Sequence, residues 1–118
     1  MTKPIDPKVL LAHAMKEEGK GGLRESVELL ARQCGYVTRH IRDSRGQNVL
    51  GMPDELLLHP KQRRLIWAEL KREKGTTTLD QDLYMQALIE CGEEVYLWRP
   101  SDLYNDTILA ILKGEETT

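Results

Sequence analysis

Asp54, Glu69 and Lys71 are the residues whose types and spacing point to chemistry. Pro53-Asp54 opens one apolar stretch, Asp54 to His59 (DELLLH), and Glu69-Leu70-Lys71 closes another, Arg64 to Lys71 (RLIWAELK). Between them lies Pro60-Lys61-Gln62-Arg63, so the two runs read as strands of a hairpin. With the turn centred between Lys61 and Gln62, Asp54 stands opposite Glu69. Directly opposed side chains in an antiparallel pair have Cβ atoms about 4.5–5.5 Å apart. Strand alternation turns Lys71 to the same face as Glu69 and Leu70 to the other. Like charges facing each other destabilise a sheet, so the pair needs compensation. A hard divalent cation such as Mg²⁺, which takes oxygen ligands, supplies it. Lys71 neutralising both carboxylates in a surface salt-bridge cluster supplies it equally well, and geometry alone leaves both readings open. The triplet by itself carries little, because Glu18-Gly19-Lys20 repeats it among glycines that hold nothing in place.

The elements that must position these residues follow from periodicity and punctuation. Lys8 to Glu18 is a short helix candidate, and Gly19, Gly21 and Gly22 then read as a flexible joint. Leu23, Val27, Leu30, Ala31 and Cys34 form one apolar stripe, which predicts a helix from Leu23 to Cys34 stopped by Gly35. Tyr36 to Arg42 alternates as a strand, and Asp43 to Gly51 is a loop. Thr78 with Gln81 three residues on forms a capping box that starts a helix from Leu79 to Cys91, its expected buried stripe running through Leu79, Leu83, Gln86/Ala87 and Glu90/Cys91. Glu94 to Trp98 is a strand rich in aromatic and β-branched residues. Ser101 is expected to cap a last helix, Asp102 to Lys113. The order is α–α–β–β–β–α–β–α: an α/β fold in which a three-strand meander, a crossover and a fourth strand make a mixed sheet flanked by helices.

At 118 residues the chain is sized for one domain. Its 40% hydrophobic and 31% charged residues are those of a globular protein, and no apolar run is long enough for a membrane span. Cys34 and Cys91 form no C-x-x-C pair and have no histidines at zinc-ligand spacing, which argues against a disulfide framework and for a reducing cytoplasm. Net charge is −2, yet residues 36–74 carry +4 and the remainder −6. A basic middle between acidic ends is either a local footprint for phosphate or a solvated mixed surface.

Read together, Gly51-Met52-Pro53-Asp54, Ala68-Glu69-Leu70-Lys71, Thr78-Leu79-Asp80-Gln81 and Gly92 to Asp102 (GEEVYLWRPSD) resemble the VRR-NUC domain, a branch of the PD-(D/E)xK nuclease superfamily found in phage and bacterial proteins and in some DNA-repair nucleases. The resemblance spans about residues 23–112. It implies a restriction-endonuclease-like αβββαβ core over 23–113, preceded by an N-terminal helix and joint (1–22) and followed by a tail (114–118). It also implies a Mg²⁺ or Mn²⁺ site and hydrolysis of DNA phosphodiesters, with branched or junction DNA as a candidate substrate, in a bacterial or phage-infected cell. Carried over by position, Asp54, Glu69 and the Leu70 carbonyl would bind the metal. Lys71 would orient or activate the attacking water and stabilise charge on the phosphate, and Gln81 would support the site. Stand-alone members look like homodimers, and the apolar Lys8–Glu18 segment is a candidate for docking across a two-fold axis.

The chain departs from the family pattern at one point. A glutamate on the first core helix usually completes the metal shell, and the matching place falls near Gly22, which has no side chain to offer. Glu25 is the nearest substitute, with Glu18 and Glu28 behind it; the alternative is that Glu25 is an ordinary solvated carboxylate. Arg42, Arg45 and Lys74 are the candidates for contacts with DNA phosphates, and Arg39 belongs with them less strongly. His40 is expected as a partly buried imidazole or a DNA contact, Trp67 and Trp98 as core or interface anchors, and both cysteines as small buried hydrophobes. A protein that keeps the fold but only binds DNA or acts as a scaffold is the alternative to an enzyme. An enzyme acting on another phosphate compound lacks any phosphate-loop motif here.

Overall fold

A computed structural model describes residues 6–41 and 51–115. Nine elements follow in chain order among them: α1 (Pro7–Ala14), α2 (Leu23–Gln33), β1 (Val37–His40), β2 (Glu55–His59), β3 (Arg64–Leu70), α3 (Leu79–Glu90), β4 (Glu94–Trp98), α4 (Pro100–Tyr104) and α5 (Thr107–Lys113). The four strands form one sheet in the order β1-β2-β3-β4. β1, β2 and β3 are antiparallel neighbours, and β4 joins β3 in parallel after the α3 crossover. The protein is therefore a mixed α/β fold with a mixed four-stranded sheet flanked by helices, as expected.

The hairpin register is the one the turn implied, with Glu55 opposite Ala68 and Leu57 opposite Ile66. One face of the sheet carries Leu57, Ile66, Ala68, Leu70 and Trp98. These join Leu23, Val27 and Ala31 of α2 and Ile108, Ile111 and Leu112 of α5 in a single apolar core. Strand alternation turns Glu69 to the opposite face, where α3 lies across the sheet.

Arg64, the first residue of β3, ties the far end together. Its guanidinium holds the Glu94 carboxylate through two N–H groups at 3.0 and 2.5 Å, and donates to Tyr36 Oη at 3.0 Å and to the Ile111 carbonyl at 2.6 Å. A cation on the last carbonyls of α5 also sits at the negative end of the helix dipole. The ion pair holds the Glu94 carboxyl below its ordinary range.

Four local expectations need correcting. The segment from Gly19 to Gly22 is a tight turn rather than a loose joint: Leu23 N–H donates to the Lys16 carbonyl at 2.8 Å and Arg24 N–H to that of Glu17 at 2.9 Å. A Cβ at Gly22 would come within 2.7 Å of the Glu18 carbonyl oxygen, so the close backbone approach itself demands glycine. The last helix is two helices, broken where Asp106 takes a left-handed φ of 64° and Asn105 Oδ1 accepts from Thr107 N–H; Arg99, not Ser101, is the N-cap, because Pro100 suits the first helical position. The buried residues of α3 are Gln81 and Met85, while Leu79 and Leu83 are 71% and 61% exposed. Cys91 is exposed; Cys34 is half-buried against the core. Separately, the first helix ends at Ala14, and it packs against α4 with Ala12 as its one buried residue.

Candidate metal and catalytic centre

Asp54 sits one residue before β2, where its carbonyl accepts from Ile41 N–H at 2.8 Å. Its carboxylate reaches across to β3 and accepts from Leu70 N–H at 3.0 Å. Lys71 lies one residue beyond β3, and its N–H continues the parallel ladder to the Trp98 carbonyl at 3.1 Å. Both ends of the hairpin are thus held by backbone bonds past the last regular strand residue. Gln81 arrives from α3 with its rotation already set by the capping box: Gln81 Oε1 accepts from Thr78 N–H at 2.9 Å and Thr78 Oγ1 accepts from Gln81 N–H at 3.2 Å. The remaining polar atom of that side chain, Nε2, donates to Glu69 Oε1 at 3.1 Å.

Glu69 is the centre of the cluster. It is 1% exposed beside Asp54 at 5% and Gln81 at 8%. Lys71 Nζ lies 3.7 Å from Glu69 Oε1, whereas Glu69 Oε2 is buried with no hydrogen-bond partner. Burial, followed by the negative charge and hydrogen bonding of Asp54, pushes the Glu69 carboxyl up to about 8, and Lys71 offsets only part of this. A buried carboxylate with one oxygen held and the other facing Asp54 without a donor in good geometry is costly when ionised, and either a retained proton or a bound cation relieves it.

The residues fit a hard divalent cation. Asp54 and Glu69 contribute two carboxylates, and since a strand residue's N–H and C=O point to the same side, the Leu70 carbonyl lies on the Asp54 edge of β3. Among the described residues no group of three or more His, Cys, Asp or Glu is arranged to hold a metal ion. Two carboxylates with a carbonyl suit Mg²⁺, which keeps several of its waters and binds through one or two carboxylates, better than a cation that needs a full protein cage.

The acids near the start of α2 separate clearly. Glu25 is exposed, and its Oε1 accepts from Gly21 N–H at 3.1 Å, in the turn just before α2. Glu18 pairs with Arg24 at 2.5 Å and stands 3.9 Å from His40, and Glu28 lies 3.6 Å from the same Arg24. Glu17 is the acid from this region whose charge reaches Glu69, and its Oε1 accepts from Arg72 N–H at 3.0 Å. Sequence reasoning names Glu18, Glu25 and Glu28 but not Glu17, whose contact with Arg72, 55 positions away, no local pattern shows. Glu55 was also missed: on the core face, 0% exposed, it has both oxygens without hydrogen-bond partners in good geometry and faces Glu28 and Arg24. Desolvation first, then Glu28, raises its carboxyl to about 9, so it is held protonated.

The remaining candidates are scattered. Arg42 and Arg45 fall outside the described residues, and Lys74 is exposed in the loop after β3. Arg39 is exposed on β1 and His40 half-buried. Trp98 is a core residue stacked on Tyr96 at 5.5 Å between ring centroids, while Trp67 is half-buried on the other face. No helix among the described residues is long and apolar enough to cross a membrane. The chain matches no protein-family model, no curated protein and no solved structure.

Proposed function

We propose that this protein is a divalent-metal-dependent deoxyribonuclease of the VRR-NUC kind, built on a restriction-endonuclease-like core running from α2 to β4. The observation that carries this reading is the Asp54–Glu69 pair at the end of the hairpin, with Lys71 3.7 Å from Glu69 and an unpartnered oxygen on Glu69.

Asp54, Glu69 and the Leu70 carbonyl would hold Mg²⁺ or Mn²⁺, which when bound supplies Lewis acidity and a hydroxide source near neutral pH. The protein's own contribution is positional. Leu70 N–H fixes the Asp54 carboxylate and Gln81 Nε2 fixes that of Glu69, so the pair is preorganised before substrate arrives. The Lys71 ammonium, 15% exposed on the same face, orients the attacking water and offsets negative charge that builds on the phosphate. Arg42, Arg45 and Lys74 bind strand phosphates in this reading.

We also infer a homodimer, supported by the half-exposed apolar residues Val9, Leu10 and Leu11 on α1. Incubation with linear, flap and four-way-junction DNA, with and without Mg²⁺ or Mn²⁺, tests the activity. Cleavage that requires the metal and is lost in Asp54→Asn supports it. Binding without cleavage on every substrate would make the protein a DNA-binding scaffold instead. Light scattering at micromolar concentration should give about twice the 13.5 kDa of one chain.

A further inference from the structure

A cleft of about 360 Å³ opens between α1 and the loop that follows β3, lined by His13, Arg72, Glu73, Lys74 and Gly75. The loop that forms its wall is pinned at several points. Arg72 N–H donates to Glu17 Oε1 at 3.0 Å, Gly75 N–H to the Arg72 carbonyl at 2.9 Å, and the Arg99 guanidinium to the Gly75 carbonyl at 2.9 Å. Glu73, the one acid in the wall, accepts from Ser101 N–H at 3.0 Å. Glu17 and Glu73 thus both accept from backbone N–H groups. Among the described residues neither the Arg72 guanidinium nor the Lys74 ammonium has a carboxylate partner. Among the described residues the wall sets the Arg72 and Lys74 cations against the single carboxylate of Glu73, a net positive charge beside the His13 imidazole that favours a compact anion.

The position relates the cleft to the candidate metal centre. Arg72 directly follows Lys71, and a Cβ at Gly75 would lie 3.5 Å from Lys71 Cβ and 3.2 Å from Arg72 N. A larger residue there would push the wall away from Lys71. We propose that this cleft binds a phosphate of the nucleic-acid strand next to the scissile one, with Arg72 and Lys74 supplying charge and His13 of α1 a further N–H donor. This assignment deepens the nuclease reading, which already gives Lys74 to a strand phosphate, and its scissile part rests on that reading. It also gives the N-terminal helix a role on the DNA side of the protein.

The test is binding of the full-length protein to a fluorescent duplex in EDTA across a series of KCl concentrations, where no cleavage intervenes. Each lost phosphate contact reduces the slope of log K against log salt by about 0.9. Arg72→Gln/Lys74→Gln should lower affinity at least about tenfold at low salt and flatten the slope by about 1.8. Lys61→Gln/Lys113→Gln, with the same change of charge elsewhere, should leave the slope unchanged. Equal effects in the two double variants, or no binding by the wild type, would overturn the proposal. Inorganic phosphate at matched ionic strength separates the sources: a rise in Tm that needs Arg72 and Lys74, with an unmoved DNA slope, would make the cleft a free-anion site and overturn the strand assignment. Normal binding with no Mg²⁺-dependent cleavage would reject the nuclease reading alone.

Discussion

Gln81 holds one oxygen of Glu69 at 3.1 Å and leaves the other without a partner. The same amide caps α3, so helix rotation and carboxylate orientation are set by one side chain. This predicts a separation between two substitutions. Gln81→Ala should cost about 1–2 kcal/mol through the lost cap. Gln81→Glu keeps an acceptor for Thr78 N–H but sets a third carboxylate against Asp54 and Glu69. It should lose at least about tenfold in cleavage rate, because the donor to Glu69 Oε1 becomes an acceptor. Equal rates for Gln81→Glu and wild type would remove Gln81 from the site.

Lys71→Ala should fold normally and lose at least about 10²-fold in cleavage rate, the scale of a lost transition-state charge contact. Removing its partial compensation also raises Glu69 further, so metal affinity of the variant should increase its dependence on pH. Lys20→Ala, in the other Glu-x-Lys, should leave the rate unchanged. An active Lys71→Ala would confine Lys71 to a structural salt bridge.

The backbone of this arrangement was legible because it is local. The turn between Lys61 and Gln62 determines the register that faces Asp54 with Glu69, and Thr78 with Gln81 marks the start of α3. The orientation of α3 was not legible, since apolar periodicity favours burying Leu79 and Leu83. The unsatisfied Glu69 carboxylate and the cap together draw Gln81 inward instead. Likewise Arg64 and Glu94 are thirty positions apart, and their two-bond ion pair follows from parallel β3–β4 pairing that no short window shows. Glu17 was missed for the same reason: its approach to Arg72 depends on the tight turn at Gly22.

The raised carboxyls predict an unusual pH dependence of stability without metal. Glu69 and Glu55, at about 8 and about 9 against an ordinary 4.5, keep protons in the fold that the unfolded chain gives up. Their contribution is fully present below about pH 4.5 and is lost as pH rises through 8 to 9. Glu94, held low by Arg64, is ionised in both states across this window and does not oppose the trend. Tm in EDTA should therefore fall by more than about 10 °C between about pH 5.5 and 8.5. Mg²⁺ should recover part of this loss at the alkaline end, because a ligand bound only to the fold stabilises it. Asp54→Asn should abolish the recovery and raise Tm in EDTA. A metal-induced shift of equal size in that variant would place the ion elsewhere.

The third acid gives a prediction that divides two neighbouring glutamates. Glu17 acts on Glu69 through space and is fastened to the strand end by Arg72 N–H, whereas Glu25 spends its carboxylate on Gly21 N–H at the start of α2. If the shell or its water is completed from this side of the molecule, Glu17→Gln should raise the Mg²⁺ concentration for half-maximal cleavage several-fold. The amide still accepts from Arg72 N–H, so Tm without metal should stay within about 1 °C of wild type, as for a surface change away from the core. Glu25→Gln should leave the metal requirement unchanged and cost no more than a few tenths of a kcal/mol at the helix start. The reverse result, a metal defect in Glu25→Gln with Glu17→Gln unaffected, would return the role to α2 and show that its first turn rearranges when the ion binds.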